Sequence, residues 1–483
     1  MRKLLTLMAA LLVSLTAFAK LELRQPCSDG MVLQQQTAAL VWGKADPNSR
    51  VTVAPSWSRH KYTARADAEG FWEVAVLTPA ASYEPRTVTV TSGRERIVIR
   101  DVLIGEVWFA SGQSNMEMPI RGFYGCPVEG AADVLTAAPL RERVRMFKVP
   151  RARSYKPLAE VKGEWWRADA ATVAEMSATA FFFARKLNEA LDVPVGILFS
   201  AYGGSKVESW LPREVVETYP DMPTDSAAVE SQPYEYYSPY MMYNAMVCPV
   251  KGYTVKGFIW YQGCSNVGAD ATYGERLRKM VSVWRADWGD AGARLPFYQV
   301  EIAPFRYGGG PEGALLRQAQ HDAAKQMPNG GIVVTNDLVY PFEIDQIHPA
   351  RKREVGERLA YLALHRDYGF ERVACQSPEA VRAYLAEDPS AQPGTVCVEL
   401  SACPDGLDRS VEIEGLEIAG ADGVFYPVRE IRMSGNVLQL RSGSVPEPRT
   451  VRYGWGGFKP GNLHAVSGLP LVPFQRVIEL KNN

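Results

Sequence analysis

Two short segments of the sequence contain residue types that together could cleave an ester. Ser114 lies in the segment Gly112–Met116, and far downstream Asp345 precedes His348 by three positions. A serine hydroxyl is a weak nucleophile until a nearby imidazole accepts its proton, and a carboxylate beside that imidazole fixes its tautomer. The two segments therefore predict a serine nucleophile, a histidine base and an orienting acid in one pocket.

Two further segments follow apolar runs with glycines or amide side chains. Gly203 and Gly204 can bring backbone N–H groups close to a ligand because a glycine has no side chain. Gln262 and Asn266 carry amide groups that could donate to negative charge that develops in a transition state. Since ligands of α/β sheets bind beyond the carboxyl ends of the strands, we expect these groups to lie near Ser114.

The charge balance and the residue spacings limit the kinds of partner. Lys and Arg number 53 against 54 Asp and Glu, which gives no basic surface for nucleic acid or an anionic membrane. The seven cysteines and five histidines do not follow metal-site spacings such as Cys-x-x-Cys. We therefore expect no structural metal site and no nucleic-acid partner. The odd cysteine count leaves at least one thiol unpaired within the chain, and nothing indicates the oligomeric state.

The first residues are typical of a secretory signal. Arg2 and Lys3 precede the apolar run Leu4–Val13, and small residues stand before Lys20. The run is shorter than the roughly 20 residues of a membrane span. This pattern predicts a signal peptide over residues 1–19 and a secreted or periplasmic protein without membrane insertion.

The remaining chain changes character twice, which predicts three domains. Short β-type runs separated by turn residues indicate a β-sandwich over residues 20–100, and similar runs, among them Val396–Leu400, Val411–Ile413 and Val437–Leu440, indicate a second β domain over residues 373–483. Between them, residues 101–372 alternate strands with helices, which predicts a mostly parallel sheet covered on both faces. The predicted strands are Val102–Ala110, Val195–Phe199, Val255–Trp260, Phe297–Ile302 and Ile332–Thr335, and the predicted helices are Ala178–Leu191, Ala314–Gln326 and Ala350–Leu364.

The four polar segments, in this order, resemble the SGNH hydrolase superfamily and within it the sialate O-acetylesterase family. The resemblance extends to other blocks over nearly the whole chain after residue 19, namely Ser28–Gln35, Gly105–Trp108, Tyr243–Met246, Arg452–Trp455 and Gly468–Pro470. It implies a three-layer, flavodoxin-like α/β hydrolase domain between two β domains. It also implies removal of acetyl groups from an O-acetylated sugar or glycan without a metal.

Carried over by position, the resemblance implies a role for each candidate residue. Ser114 is the nucleophile, His348 the general base and then acid, and Asp345 the orienting acid. The oxyanion hole would use the Ser114 amide, the amide of Gly203 or Gly204, and the Gln262 side chain. Asn266 would shape the same pocket.

This chain departs from the family pattern at Cys264, where many relatives carry Glu. The carboxylate role therefore passes to Asp345, with Asp337, Glu343 or a dyad without an acid as alternatives. Cys264 could itself be a rival nucleophile, but no histidine adjoins it in sequence, and a small apolar filler is the favoured interpretation.

The predicted function is a carbohydrate O-acetylesterase that needs no cofactor. Sialic acid esters and acetylated xylan or mannan both fit, and Arg121, Arg306 and Arg351 lie near the polar segments, where a sialate carboxylate would need a cation. A glycan-binding protein without turnover is an alternative of another class. A serine hydrolase for longer acyl chains or thioesters is a third possibility.

Overall fold

The computed structural model describes residues 20–137, 143–387 and 391–479, so the predicted signal peptide, residues 1–19, lies outside the described residues. The strands within these ranges are β1 Glu22–Leu23, β2 Val32–Gln34, β3 Ala38–Lys44, β4 Arg50–Pro55, β5 Tyr62–Arg65, β6 Phe71–Leu77, β7 Ser82–Ser92, β8 Glu95–Gly112, β9 Val144–Lys148, β10 Trp165–Arg167, β11 Val195–Ala201, β12 Gly257–Tyr261, β13 Phe297–Val300, β14 Gly330–Val333, β15 Glu379–Leu385, β16 Val396–Ser401, β17 Leu416–Ala419, β18 Phe425–Pro427, β19 Glu430–Ser434, β20 Val437–Arg441, β21 Thr450–Tyr453 and β22 Phe474–Val477. The α-helices there are α1 Ser114–Glu117, α2 Ala131–Ala137, α3 Ala178–Leu191, α4 Arg213–Val216, α5 Ser226–Glu230, α6 Asp270–Asp287, α7 Glu312–Gln326 and α8 Lys352–Asp367.

The central sheet carries the predicted alternation of strands and helices. Its strands follow the order β10-β9-β11-β8-β12-β13-β14, and the run from β9 to β14 is parallel. Strand β10 is antiparallel to β9, and β7 is antiparallel to β8. The large sheet is therefore mixed, and the mostly parallel arrangement describes its central strands.

Helices cover both faces of these parallel strands. One apolar core contains buried residues of α3 and α8, and the other contains buried residues of α6 and α7. Strand β11 is buried at all seven positions, as expected for a strand between two helical layers. The layered arrangement brings the carboxyl ends of β8, β11 and β12 to one edge, because these strands are parallel neighbours.

The 18-residue strand β8 joins the first part of the chain to this sheet. Its amino-terminal half pairs with β7, and its carboxyl-terminal half pairs with β11 and β12. A smaller sheet of order β1-β3-β6 packs into the apolar core that also contains α6 and α7. The strand runs across residue 100, where the sequence predicts the end of the first domain.

The final part of the chain forms two further sheets around its own core. Their orders are β15-β16-β20-β19 and β18-β17-β21-β22, so the fold is mixed α/β with additional carboxyl-terminal β sheets. The predicted strand Val411–Ile413 is wrong. The Asn462 side chain accepts from the Glu414 amide and donates to the Glu412 carbonyl, which places an amide side chain where a partner strand would pair.

Most predicted elements of the central part are confirmed. Helix α3 has the predicted bounds, and each of the five predicted strands overlaps an observed one, with ends shifted by a few residues except at the start of β8. Sequence periodicity therefore identifies the elements that carry the polar segments. It does not give their order in the sheet, which depends on long-range packing.

Candidate active site

Ser114 lies where β8 ends and α1 begins. The chain turns sharply there: Gly112 has φ of +141°, and a β-carbon on it would lie 2.2 Å from the carbonyl oxygen of Tyr261. A side chain at this position would therefore collide with backbone. The turn leaves Ser114 half-buried as the first residue of α1, with its hydroxyl and amide N–H free of protein partners among the described residues.

The start of α3 holds this turn in place through two side-chain hydrogen bonds. The Ser177 hydroxyl caps α3 by accepting from the Ala180 amide, and it donates to the Met116 carbonyl at 2.6 Å. The Thr179 hydroxyl donates to the Asn115 carbonyl at 3.2 Å. These contacts hold α1 against a long buried helix, so the position of Ser114 is tied to the rigid part of the fold.

His348 lies in the loop before α8. Its ring stands edge-on to Phe123, with centroids 5.2 Å apart, and its Nδ1 lies 3.9 Å from the Sγ of Cys126. Its Nε2 is buried and has no hydrogen-bond partner in the part of the chain that the structure describes. A buried ring nitrogen without a partner is unusual, and it leaves one nitrogen free to exchange a proton with a substrate or a nucleophile.

A direct hydrogen bond connects the serine and histidine segments. The Asn115 side chain, next to Ser114, donates from Nδ2 to the carbonyl oxygen of Ile347, next to His348, at 2.9 Å. Residues separated by 232 positions are thereby adjacent at the carboxyl edge of the sheet. The structure thus brings together the two segments that the sequence predicts to share a pocket.

The structure does not bring Asp345 to His348. The Asp345 carboxylate forms an ion pair with Arg306 at 2.7 Å, and 67% of its side chain is exposed. No hydrogen bond joins Asp345 to His348 among the described residues. The predicted orienting role of Asp345 therefore stays a prediction, and the observed geometry does not favour it.

The two alternative acids are also engaged elsewhere. Asp337 accepts two hydrogen bonds from Arg358 and one from His464, and although burial opposes its ionisation, these partners hold the pKa of the carboxyl well below its usual range. Glu343 accepts from the amides of Tyr340 and Ala350 and so closes the loop that carries His348. Neither carboxylate contacts His348.

The two glycines next to Ser114 differ in what they can offer. The Gly203 amide donates to the Oε2 of Glu117 at 2.9 Å, and a β-carbon on Gly203 would lie 3.4 Å from the Cβ of Ser114. Gly204 has φ of +79° and packs against the ring of Tyr236. Its amide has no acceptor in the described structure, so Gly204 is the better candidate for an oxyanion contact.

Gln262 and Asn266 form a buried network behind the pocket. Gln262 Nε2 donates to the Ser205 carbonyl and to Asn266 Oδ1, so both of its hydrogens are used within the protein. Asn266 accepts from the Val207 amide and donates to Glu208, which forms a buried ion pair. This arrangement positions the segment before α6, and a direct contact with substrate would require one of these bonds to break.

Cys264 contributes a half-buried, protonated thiol. Its Sγ accepts a hydrogen bond from the Tyr307 hydroxyl at 3.1 Å, and burial raises the pKa of the thiol. A thiol with a raised pKa is a poor nucleophile, because the thiolate is the reactive form. The geometry therefore favours the filler interpretation of Cys264.

Lys352 is a buried cation that the sequence interpretation missed. It begins α8 four residues after His348, it is 1% exposed, and its Nζ donates to the Pro349 carbonyl at 2.5 Å. Burial lowers the pKa of Lys352 to about 7, although Glu343 acts in the opposite direction. Burial first, and then the charge of Lys352, lower the pKa of His348 to about 4, so the imidazole stays neutral at mildly acidic pH.

Replacing Lys352 by methionine is expected to move the acid limb of kcat/KM to higher pH. His348 must be neutral to act as the base. Without the Lys352 ammonium, only burial opposes protonation of the imidazole, so the pKa of His348 should rise from about 4 towards its ordinary 6.5. Profiles for para-nitrophenyl acetate check this, with Lys325→Met, at an exposed lysine paired with Glu379, as the control. An unmoved acid limb in the Lys352 variant would contradict the electrostatic role.

Two further neighbours of the site were not expected. Glu117 lies three residues, about one helical turn, after Ser114 on α1, and its carboxylate pairs with Arg151. A helical interpretation of this segment could have identified Glu117 as a neighbour of Ser114 from that spacing. Cys126 approaches His348 from a separate loop, and no sequence pattern pointed to it. The three arginines considered for a sialate carboxylate each form ion pairs: Arg121 with Glu175, Arg306 with Asp345 and Arg351 with Glu354.

Residues that could hold a metal do not cluster. Within the described ranges, no group of three or more His, Cys, Asp or Glu side chains has the arrangement of a metal site. All seven cysteines lie in those ranges and are free thiols. The described helices also include none with the length and apolar composition of a membrane span.

Known proteins are similar to this chain in sequence and in fold. A family model described as carbohydrate esterase, sialic acid-specific acetylesterase matches residues 104–365. The sialate O-acetylesterase of Homo sapiens is 27% identical over 389 residues, covering 73% of this chain and 72% of that protein, and the Mus musculus protein is 27% identical over 406 residues, covering 72% and 74%.

The solved structures include a relative that covers almost the whole chain. A carbohydrate acetylesterase from Xanthomonas citri superposes with a TM-score of 0.82 and 33% identity, over 94% of this chain and 99% of that one. The family model spans more than half of the chain, and its match contains both Ser114 and His348. The chain therefore belongs to the sialic acid-specific acetylesterase family of carbohydrate esterases.

Proposed function

We propose that this protein removes O-acetyl groups from carbohydrates through an acyl-enzyme on Ser114. The observation that carries the proposal is the contact between the serine and histidine segments, made by Asn115 and the Ile347 carbonyl, in a chain of an acetylesterase family. This contact supports a pocket shared by a free serine hydroxyl and a buried, unpartnered imidazole nitrogen.

In the first half-reaction, the Ser114 Oγ attacks the carbonyl carbon of the acetyl ester while the Nε2 of His348 accepts the hydroxyl proton. The carbonyl double bond opens to an oxyanion. When it re-forms, the bond to the sugar oxygen breaks, and the imidazolium returns its proton to that oxygen. The free sugar hydroxyl leaves, and the acetyl group stays on Ser114.

The oxyanion needs donors that are free before the substrate arrives. We assign the Ser114 and Gly204 amides to this role, because both lack acceptors among the described residues. The Gly203 amide and the Gln262 side chain were candidates from sequence, but their hydrogens are held by Glu117, Ser205 and Asn266. We propose that these groups position the segments that carry the donors.

In the second half-reaction, His348 removes a proton from water, which attacks the acetyl carbon on Ser114. Collapse of the new oxyanion releases acetate, and the proton returns to the serine oxygen. No cofactor enters either step. The neutral state of His348 suits this role, because an imidazole that is already protonated cannot act as a base.

Replacing Asp345 by asparagine is expected to lower kcat/KM by less than about tenfold. The carboxylate is exposed and neutralised by Arg306, so its removal leaves the imidazole environment nearly unchanged. Acetate release by this variant and by Arg306→Met, which removes the partner, measures the effect. A fall of about three to four orders of magnitude in the Asp345 variant would instead identify the orienting acid.

The proposed function is tested by acetate release from O-acetylated sialoglycans and from acetylated xylan and mannan. Release from at least one of these substrates that depends on Ser114 is the expected result. Sialic acid esters are favoured only by the description of the family, and acetylated plant polysaccharides are the alternative. Binding of these glycans with no acetate release would favour the non-catalytic alternative, while faster cleavage of octanoyl than acetyl esters would favour a long-chain hydrolase.

We also retain the finer assignments made from sequence. The parallel strands with helices on both faces support an SGNH-type hydrolase domain over residues 101–372, between β domains over residues 20–100 and 373–483. Export after removal of residues 1–19 remains part of the proposal. Sequencing the amino terminus of the exported protein tests it, with Lys20 as the expected first residue.

A further inference from the structure

Three exposed aromatic side chains lie on segments that border the candidate active site. Tyr124 is fully exposed, Phe342 is 80% exposed and Tyr234 is 53% exposed. These are the most exposed aromatic residues among the large hydrophobic side chains of the described structure. Isolated exposed apolar residues are common on proteins, but three aromatic rings around one pocket need an explanation.

Tyr124 is presented by a tight turn beside His348. Phe123 and Cys126 exchange two backbone hydrogen bonds, each of 3.0 Å, and the same two residues contact the His348 ring. Gly125 occupies the positive-φ position of this turn, and its carbonyl accepts from Gln346. The turn therefore holds Tyr124 at its tip, next in sequence to a residue that contacts the imidazole.

Phe342 belongs to the loop that carries His348. Its ring stacks on Tyr340, with centroids 5.2 Å apart and planes inclined by 8°. The Tyr340 hydroxyl donates to Glu129 at 2.7 Å, and Glu343 closes the loop through the amides of Tyr340 and Ala350. One face of the Phe342 ring thus has an aromatic support.

Tyr234 is connected to the glycine segment through Tyr236. It stacks on Tyr236, with centroids 5.0 Å apart and planes inclined by 6°, and Tyr236 packs on Gly204. Since a β-carbon on neighbouring Gly203 would lie 3.4 Å from the Cβ of Ser114, this aromatic pair stands beside the nucleophile. Tyr234 is therefore carried by the segment beside Ser114, whereas Tyr124 and Phe342 are carried by segments beside His348.

We propose that Tyr124, Phe342 and Tyr234 form an aromatic rim that binds the sugar units of an extended glycan on either side of the acetylated one. Sugar rings have apolar C–H faces that stack on aromatic rings, while their hydroxyl groups stay in water, so exposed and separately supported rings suit them. Because each ring is already held in place, little conformational entropy is lost on binding. This inference rests on the proposed function.

Space for further sugar units continues from the Phe342 loop. A cavity of about 580 Å³ is lined by Ile344, Arg306 and Trp455, among others. Arg306 also pairs with Asp345, three residues before His348, so this cavity lies beside the loop that carries the imidazole.

The rim is tested by replacing Tyr124, Phe342 and Tyr234 with alanine, singly and together. Tyr426→Ala, which removes an exposed aromatic residue of the carboxyl-terminal sheets, is the matched control. Each substrate pair keeps the ester and changes the chain length: a mucin with O-acetylated sialic acids against the free O-acetylated sugar, and acetylated xylan against acetylated xylose.

The triple variant is expected to lower kcat/KM at least roughly tenfold on the polymer of the preferred pair and less than about twofold on its monomer and on para-nitrophenyl acetate. Equal loss on polymer and monomer, or no loss on the polymer, would overturn the rim. Binding provides a readout that does not depend on turnover: Ser114→Ala protein should be retarded by one of the two polymers in affinity electrophoresis, and adding the three rim replacements should abolish that retardation. Retardation that persists after the three rim replacements would overturn the rim, and so would the absence of any retardation of the Ser114→Ala protein. Either result would count against the rim whatever the activity assays show about the acetylesterase.

Discussion

Replacing Ser114 by alanine is expected to reduce kcat for acetyl ester hydrolysis by about four to six orders of magnitude. The hydroxyl is the atom to which the acetyl group is transferred, and an alanine methyl cannot form that bond. The oxyanion donors and the imidazole remain, so a small residual rate above that of water should persist. Initial rates with para-nitrophenyl acetate and with an O-acetylated sugar measure the loss.

A matched serine separates chemistry from folding. Ser111 lies on β8, three residues before Ser114, and its buried hydroxyl has no partner in the described structure. Ser111→Ala should therefore fold normally and keep kcat within about threefold, because a buried hydroxyl without a hydrogen bond contributes little to stability. Comparable activity of the Ser114 and Ser111 variants would remove Ser114 from the mechanism.

Replacing His348 by alanine is expected to reduce kcat by about three to six orders of magnitude. Both half-reactions need its Nε2, first to accept the serine proton and then to activate water. The loss should be partly restored by added imidazole, because the side chain leaves a space between Phe123 and Cys126. A merely structural histidine would show no such rescue.

His365 provides the control for this variant. It lies on α8, and its Nδ1 contacts the Val373 carbonyl away from the serine. His365→Gln should therefore leave kcat within about threefold and test the general effect of losing a histidine from this region. A His348 variant with the same activity as the His365 variant would show that another group acts as the base.

Much of the fold follows from local sequence patterns. The apolar run of β11 and the bounds of α3 are predicted from the chain, because periodicity is a property of neighbouring residues. The extension of β8 across the predicted domain boundary was not readable. At one end β8 pairs with β7, directly before it in the chain, and at the other end it pairs with β11, which lies far downstream in sequence.

The candidate site likewise contains residues that local sequence predicts and contacts that only long-range packing decides. Ser114 and His348 could be located from residue type and sequence context, and the structure places their segments together. The direction of the Asp345 side chain could not be predicted, because it is set by Arg306, 39 positions earlier. Spacing of three residues shows that an acid and a base can be adjacent, but a cation from another loop decides where the acid points.

The amide side chains show a second limit of sequence reasoning. Gln262 has the right chemistry to donate to an oxyanion, and only its neighbours reveal that Ser205 and Asn266 already accept both hydrogens. Lys352 shows the reverse. Its spacing of four from His348 was visible, but its burial depends on how α8 packs, so its effect on the pKa of the imidazole emerged only from the structure.

The most direct test of the acyl-enzyme is mass spectrometry of protein quenched in acid during turnover of para-nitrophenyl acetate. We expect one acetyl group on the peptide that contains Ser114, and its amount should fall when His348 is replaced, because formation of the ester requires the base. An acetyl group on Cys126 or Cys264 instead, or turnover without any acetylated peptide under conditions that retain serine esters, would contradict the account.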